Sequence, residues 1–191
     1  MKLKNNFYLS EDVVKTAREL LGKYLFVNID GVKCGGYITE TEAYTGAVDK
    51  ASHAYQNKRT KRTEVMFAEG GRTYVYLCYG IHALLNVVTA PKDVPHAVLI
   101  RGFWPTHGLD HILKRLGKSK TTKSMFKGPG KLTRALGIKT AHNNLDLSGD
   151  QIWLEDLGMK IPDEEILVGP RIGIDYAEED ALLPYRFQIK T

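Results

Sequence analysis

Cysteine is scarce: only Cys34 and Cys78 occur in 191 residues, so no disulfide framework holds this chain together. Both lie in strand-like apolar runs, where free buried thiols of a reducing compartment are expected. The six histidines share no ligand spacing with either cysteine, which argues against a zinc site or any other metal. No apolar run approaches the roughly 18 residues of a membrane-spanning helix. The basic start MKLKNNFYLS has no apolar stretch behind it, unlike a signal peptide. An intracellular protein is expected, cytoplasmic or at the nucleoid if bacterial. Repeats, low-complexity tracts and linkers are also missing. A chain of this length, 43% hydrophobic with ordinary glycine and proline usage, reads as one domain over 1–191 with a real core.

Charge is present but unevenly spread. The formal net charge is +5, yet residues 101–140 hold ten Lys or Arg against the single acid Asp110, whereas 141–191 hold four against eleven acids. The basic stretch reads either as a solvated helix face or as a phosphate-binding surface that releases counterions from a polyanion. The acidic end reads as a solvated face turned away from such a partner.

Hydrophobic periodicity predicts a helix through EDVVKTARELL, capped by Ser10 and stopped by Gly22. YLFVNID and VKCGGYITETEAY flank Asp30-Gly31, a hairpin signal, and Gly35-Gly36 predicts a bulge or close backbone approach. Residues 45–63 form a long polar loop, followed by a short helix around 64–67. TYVYLCYG, HALLNVVTA and HAVLIRGFW read as an antiparallel meander. LDHILKRLG and KLTRALG are helical, joined by a loop ending in Gly128-Pro129-Gly130, and shorter strands are expected in QIWLED, ILVGPRIGI and YRFQI. The predicted class is α+β: a single domain with a curved, mostly antiparallel sheet flanked by helices.

Within this frame ETEAY stands out. Strand alternation puts Glu40, Glu42 and Tyr44 on one face. Tyr74 and Tyr76 share a face of a later strand; Tyr74 is expected in the core, while Tyr76 and Tyr79 near the strand end are expected to be exposed. Asn86 in an apolar strand and Arg101 after AVLI both call for polar partners. Acids, aromatics and a basic patch together point to chemistry on a nucleic-acid base, which in a duplex must first be rotated out of the stack.

ETEAYTGAVDKASHAY, MFAEGGRTYVYLCYGIHALLNVV, AVLIRG and GPGKLTRALGI together resemble the alkyladenine DNA glycosylase family, that is, methylpurine-type 3-methyladenine DNA glycosylases. The likeness runs in order across nearly the whole chain. It implies a monofunctional base-excision repair enzyme, acting as a monomer on double-stranded DNA containing damaged purines, without cofactor or metal. By resemblance, Glu42 is the general base that activates water, and Arg101 positions that water or the adjacent phosphate. Tyr44, His53, Tyr76 and Asn86 form the base pocket, with Asn86 disfavouring guanine, and Tyr79 intercalates. Lys58, Thr60, Arg62 and Lys131 approach the DNA backbone, and the Ile172 carbonyl faces the water. Glu40 is expected to be structural and salt-bridged.

These roles fit the chemistry of glycosidic cleavage. A carboxylate stabilises the developing oxocarbenium ion and takes a proton from water. An alkylated purine is cationic, so it leaves readily and is attracted to electron-rich rings. Two other readings compete. A non-catalytic nucleic-acid module leaves Glu42 repelling phosphates; a nucleoside or glycoside hydrolase leaves the basic stretch without purpose.

Overall fold

The computed structural model describes residues 1–190. In chain order the elements are α1 (Asn5–Tyr8), α2 (Val13–Glu19), β1 (Tyr24–Ile29), β2 (Val32–Tyr44), β3 (Arg72–Cys78), β4 (His82–Thr89), β5 (His96–His107), α3 (Leu109–Leu116), α4 (Pro129–Leu136), β6 (Ile152–Glu155), β7 (Ile166–Gly169) and β8 (Arg186–Ile189). Single 3-10 turns punctuate the loops. The strands form one antiparallel sheet in the order β3-β4-β5-β2-β1-β6, with β8 pairing both β2 and β7. The α+β class with a curved antiparallel sheet is therefore the observed one.

The hairpin expected at Asp30-Gly31 is present, with both residues at positive φ (53° and 74°), as a tight two-residue turn between right-twisted strands requires. β2 then pairs with β1 through its first half, with β5 along most of its length, and with β8 near its end. Such shared pairing bends the strand. Register shifts against β5 fall at Gly35/Gly36, Ile38/Glu40 and Glu40/Thr41. The double glycine has a direct reason: a Cβ on Gly36 would lie 2.2 Å from the Trp104 carbonyl oxygen.

Alternation sends the two faces of the sheet to different environments. Ile38, Ala43, Val75, Leu85, Val87, Val98 and Ile100 join the main core beneath α2, α3 and α4. The Thr41 hydroxyl donates to the Ala17 carbonyl (2.8 Å), fastening α2, and the Thr133 hydroxyl donates to the Ala83 carbonyl (2.6 Å), fastening α4. The opposite face carries Glu42, Tyr44, Tyr74, Tyr76, Asn86, Leu99 and Arg101. The 45–67 loop covers part of it through a second cluster of Ala54, Val65, Met66, Phe67, Tyr74, Val88 and Ala97.

Several local expectations change. α2 begins at Val13 and is capped by Asp12, whose carboxylate accepts the Lys15 N–H (2.8 Å), while Ser10 only receives the Asp12 N–H. An anionic cap also complements the helix dipole. Pro129 and Gly130 open α4 rather than ending a loop, because proline suits a first turn whose N–H groups are unpaired. ILVGPRIGI is a strand only to Gly169; Pro170 cannot continue the ladder, and 171–174 becomes a loop. Both cysteines are free thiols; Cys34 is buried as expected, but Cys78 is half-buried. Among the described residues no helix is long and apolar enough to cross a membrane.

The Gly36 contact makes a stability prediction. Gly36→Ala should lower the unfolding free energy by about 1–3 kcal/mol, as overpacking does in a tight site, measured by the urea midpoint.

Candidate active site

A cleft of about 410 Å³ opens on the face of the sheet away from the helices, and its lining includes Tyr44, His53, Tyr76, Asn86, Arg101 and Ile172. Four separate segments close it: the 51–62 loop, the β3–β4 hairpin, the start of α4 at Pro129, and the 172–176 loop.

Glu42 lies directly behind this lining and is 0% exposed. Its Oε1 accepts the Ile172 backbone N–H at 2.8 Å, its Oε2 accepts the Tyr44 hydroxyl at 2.8 Å, and Arg101 Nε stands 3.3 Å from Oε1. Burial raises the Glu42 pKa above its ordinary value, and Arg101, the Ile172 N–H and the Tyr44 hydroxyl oppose that rise. A carboxylate offers about four lone-pair sites. The Ile172 N–H and the Tyr44 hydroxyl occupy two of them and Arg101 adds its charge, which leaves capacity for a further donor such as a water.

Arg101 reaches this position through a bulge. Gly102 pairs with Glu40 and Ile100 with Thr41, so Arg101 has no Cα partner on β2. A bulge re-aims a side chain that regular pairing would place elsewhere. The Arg101 Nε also donates to Glu40 Oε1 (3.0 Å), and Arg186 Nη1 holds the same oxygen at 3.2 Å. Glu40 thus neutralises two arginines beside the cleft, the salt-bridged role expected of it.

His53 meets Tyr76 edge-on, with centroids 4.6 Å apart, and Tyr74 lies 5.3 Å from Tyr76. The Tyr74 hydroxyl is 2.8 Å from His53 Nδ1, and Arg62 Nη2 is 3.3 Å from His53 Nε2. A guanidinium only donates, so Nε2 accepts and the ring proton sits on Nδ1, facing Tyr74. Burial, reinforced by the Arg62 charge, lowers the His53 pKa to about 4, which keeps the ring neutral near neutral pH. Asn86 pairs with Tyr74 across β3–β4 and donates Nδ2–H to its carbonyl at 3.1 Å.

Tyr79 occupies the tip of the β3–β4 hairpin at φ 50° and is 87% exposed. Leu77 and Ile81 beside it are also exposed, giving the hairpin a projecting apolar edge. The remaining expected residues divide. Arg62 belongs to the cleft, its guanidinium 4.9 Å from the Tyr76 ring centre. Lys58 and Thr60 lie outside it on an exposed turn, where the Thr60 hydroxyl and backbone are tied to Thr63. Lys131 is exposed in the first turn of α4, two residues beyond Pro129. The Ile172 backbone N–H donates to Glu42 Oε1.

Sequence reasoning assigned Tyr74 to the core alone; it is 2% exposed and also orients His53. It gave no role to Tyr176, which lines the cleft, or to the buried ion pair of Arg171 and Asp49 beside it. A charged residue inside GPRIGI was the one available signal, since arginine is seldom buried without a partner.

The His53 assignment can be measured. Nitrogen NMR should find the neutral Nδ1–H tautomer at pH 7 and a titration midpoint near 4, and Arg62→Ala should raise that midpoint. The folded state resists protonation more than the unfolded chain, so this group's contribution to stability is complete above about pH 6.5 and falls as the pH drops towards 4.

Comparison with known proteins gives the family. The model of the family described as methylpurine-DNA glycosylase matches residues 6–191. A protein of Bacillus cytotoxicus named "Putative 3-methyladenine DNA glycosylase" is 45% identical, over 100% of this chain and 97% of its own length. Proteins with the same name are 46% identical in Clostridium perfringens (100% of this chain, 96% of theirs) and 44% identical in Chlamydia pneumoniae (97% and 93%). A match that spans both chains almost end to end leaves one assignment: the chain belongs to the methylpurine-DNA glycosylase family.

Proposed function

We propose that this protein is a monofunctional DNA glycosylase that releases alkylated purines of the 3-methyladenine type from duplex DNA. 7-Methylguanine and hypoxanthine are further candidate substrates. The protein acts as a monomer, without metal or cofactor. The observation that carries this reading is the buried Glu42, held by two hydrogen-bond donors and the charge of Arg101 immediately behind a cleft walled with aromatic rings.

The reaction follows from that arrangement. The damaged nucleotide leaves the duplex and its base enters between Tyr44 and the His53–Tyr76 wall, while Tyr79 fills the gap in the stack. As the C1′–N bond lengthens, its electron pair passes to the base, which for an alkylated purine neutralises a positive charge. Water attacks C1′ and gives a proton to Glu42, and the carboxylate stabilises the oxocarbenium character on the sugar. Its raised pKa makes Glu42 a stronger base once it is ionised. Arg101 keeps the carboxylate anionic and stands near the phosphate side of the sugar. Arg62 must leave the face of Tyr76 before a cationic purine can take its place, since the two charges repel. No lysine lines the cleft among the described residues, which favours attack by water over a Schiff-base route with strand cleavage. The packed Asn86 side chain gives guanine's exocyclic amino group little room.

Glu42→Gln should bind damaged duplex as the native protein does and lose base release by about 10²- to 10⁴-fold, scored as free base liberated from an alkylated oligonucleotide. Near-native release would overturn the assignment. In the native protein the rate should fall as the pH drops through the raised Glu42 pKa, because only the ionised form accepts the proton. Tyr79→Ala should weaken flipping, seen as a smaller fluorescence change from a reporter base beside the lesion; an unchanged signal would remove Tyr79 from the wedge role.

A further inference from the structure

A second buried ion pair lies next to the cleft. Arg171 and Asp49 have side chains with 0% exposure. Arg171 Nη1 donates to the Ala43 carbonyl (3.0 Å) and to Asp49 Oδ2, while Nη2 donates to Asp49 Oδ1 (2.9 Å) and the Asp180 carbonyl (3.0 Å). All four Nη hydrogens thus have acceptors. The guanidinium also packs 4.8 Å from the Tyr44 ring centre and 5.3 Å from that of Tyr185. Asp49 in turn accepts the Thr45 and Ala51 N–H groups (3.1 and 2.9 Å).

These contacts converge on the water activator without touching it. Ala43 lies between Glu42 and Tyr44, so Arg171 grips the strand between the base and its hydroxyl donor. Ile172, the next residue after Arg171, supplies the N–H on Glu42 Oε1. On the other side of Arg171 the Pro170 carbonyl is held by Arg186 Nε (2.9 Å), and Arg186 also binds Glu40. The 170–172 turn is therefore bracketed by two arginines. Resting on the reading of Glu42 as the base, we propose that Arg171, locked by Asp49, is a positioning residue for it. Arg171 fixes the 170–172 turn and the Tyr44 ring so that two donors meet the two Glu42 oxygens at once. Contribution to stability alone is a weak reason for such a pair, because well-packed apolar side chains often replace a buried ion pair without loss. A planar fork with fixed donor directions suits orientation, and lysine cannot reproduce it.

Single-turnover base release, duplex affinity, thermal stability and the pH–rate profile would be compared for Arg171→Lys, Asp49→Asn, Ile172→Pro, Lys50→Ala and Glu42→Gln. Arg171→Lys and Asp49→Asn should bind damaged duplex nearly as well as the native protein and release base about 10- to 100-fold more slowly. That is the range for losing a hydrogen bond to a charged group. Their acid limb should move to higher pH, because the ionised Glu42 loses donors that favour it. Ile172→Pro removes the N–H at a position whose side chain is 52% exposed while leaving the Arg171 and Asp49 side chains in place, so it reads the loss of that donor even if the ion-pair variants fail to fold. Lys50→Ala breaks exposed bridges to Glu178 and Glu179 between the same two segments and should leave both rate and profile unchanged. Native release and an unmoved acid limb in a folded Arg171→Lys, or in Ile172→Pro, would overturn the inference. Retained release by Glu42→Gln would overturn the base assignment instead.

Discussion

An ionised carboxylate with no exposed surface forfeits its hydration, and the loss costs several kcal/mol unless nearby donors replace it. Glu42 is in this position at 0% exposure, and much of the architecture around it can be read as the replacement. One donor comes from its own strand two residues on, one from the backbone of a loop near the C-terminus, and a compensating positive charge from a bulge in β5. No single element supplies them. The groups that favour its ionised form meet only when β2, β5 and the 170–172 turn are assembled together.

The pairing of β2 with three other strands serves this requirement. The Gly36 contact lets β5 approach closely, and the following shifts in register leave Arg101 out of the ladder and free to bridge Glu40 and Glu42. β8 brings Arg186 to Glu40, so this acid, two residues before Glu42, faces cations on two sides. The helices seal the opposite face with a continuous apolar core, which leaves the site face open for aromatic walls. Neutral His53 and the rings around it form an electron-rich wall on that face.

Much of this was legible in the chain. Alternation alone put Glu40, Glu42 and Tyr44 on one face, Asp30-Gly31 announced the hairpin, and three β-branched runs foretold the meander. These signals are local, arising from period-two geometry and turn chemistry within a few residues. Errors in the elements were local too: Asp12 outcompeted Ser10 as a cap because its carboxylate reaches the Lys15 N–H, and Pro170 ended a strand that hydropathy would have continued. The companions His53, Tyr76, Asn86 and Arg101 were picked out by family likeness, because spacing alone makes none of them a site residue.

By itself the sequence determined the class of fold and the faces of its strands, Glu40 and Glu42 sharing one of them, since each depends on side-chain order along one segment. Only the tertiary structure decided how Glu42 is held. The Ile172 N–H and the Tyr44 hydroxyl reach it from positions 130 and 2 residues away. The Arg171–Asp49 pair spans 122 residues, and Arg62 folds back onto Tyr76 rather than outwards. The physical reason is that burial, bulges and hydrogen-bond partners are properties of the packed assembly. A carboxylate's environment is set by whichever groups the fold brings within 3 Å or so, and chain order places no limit on how far apart in sequence they lie.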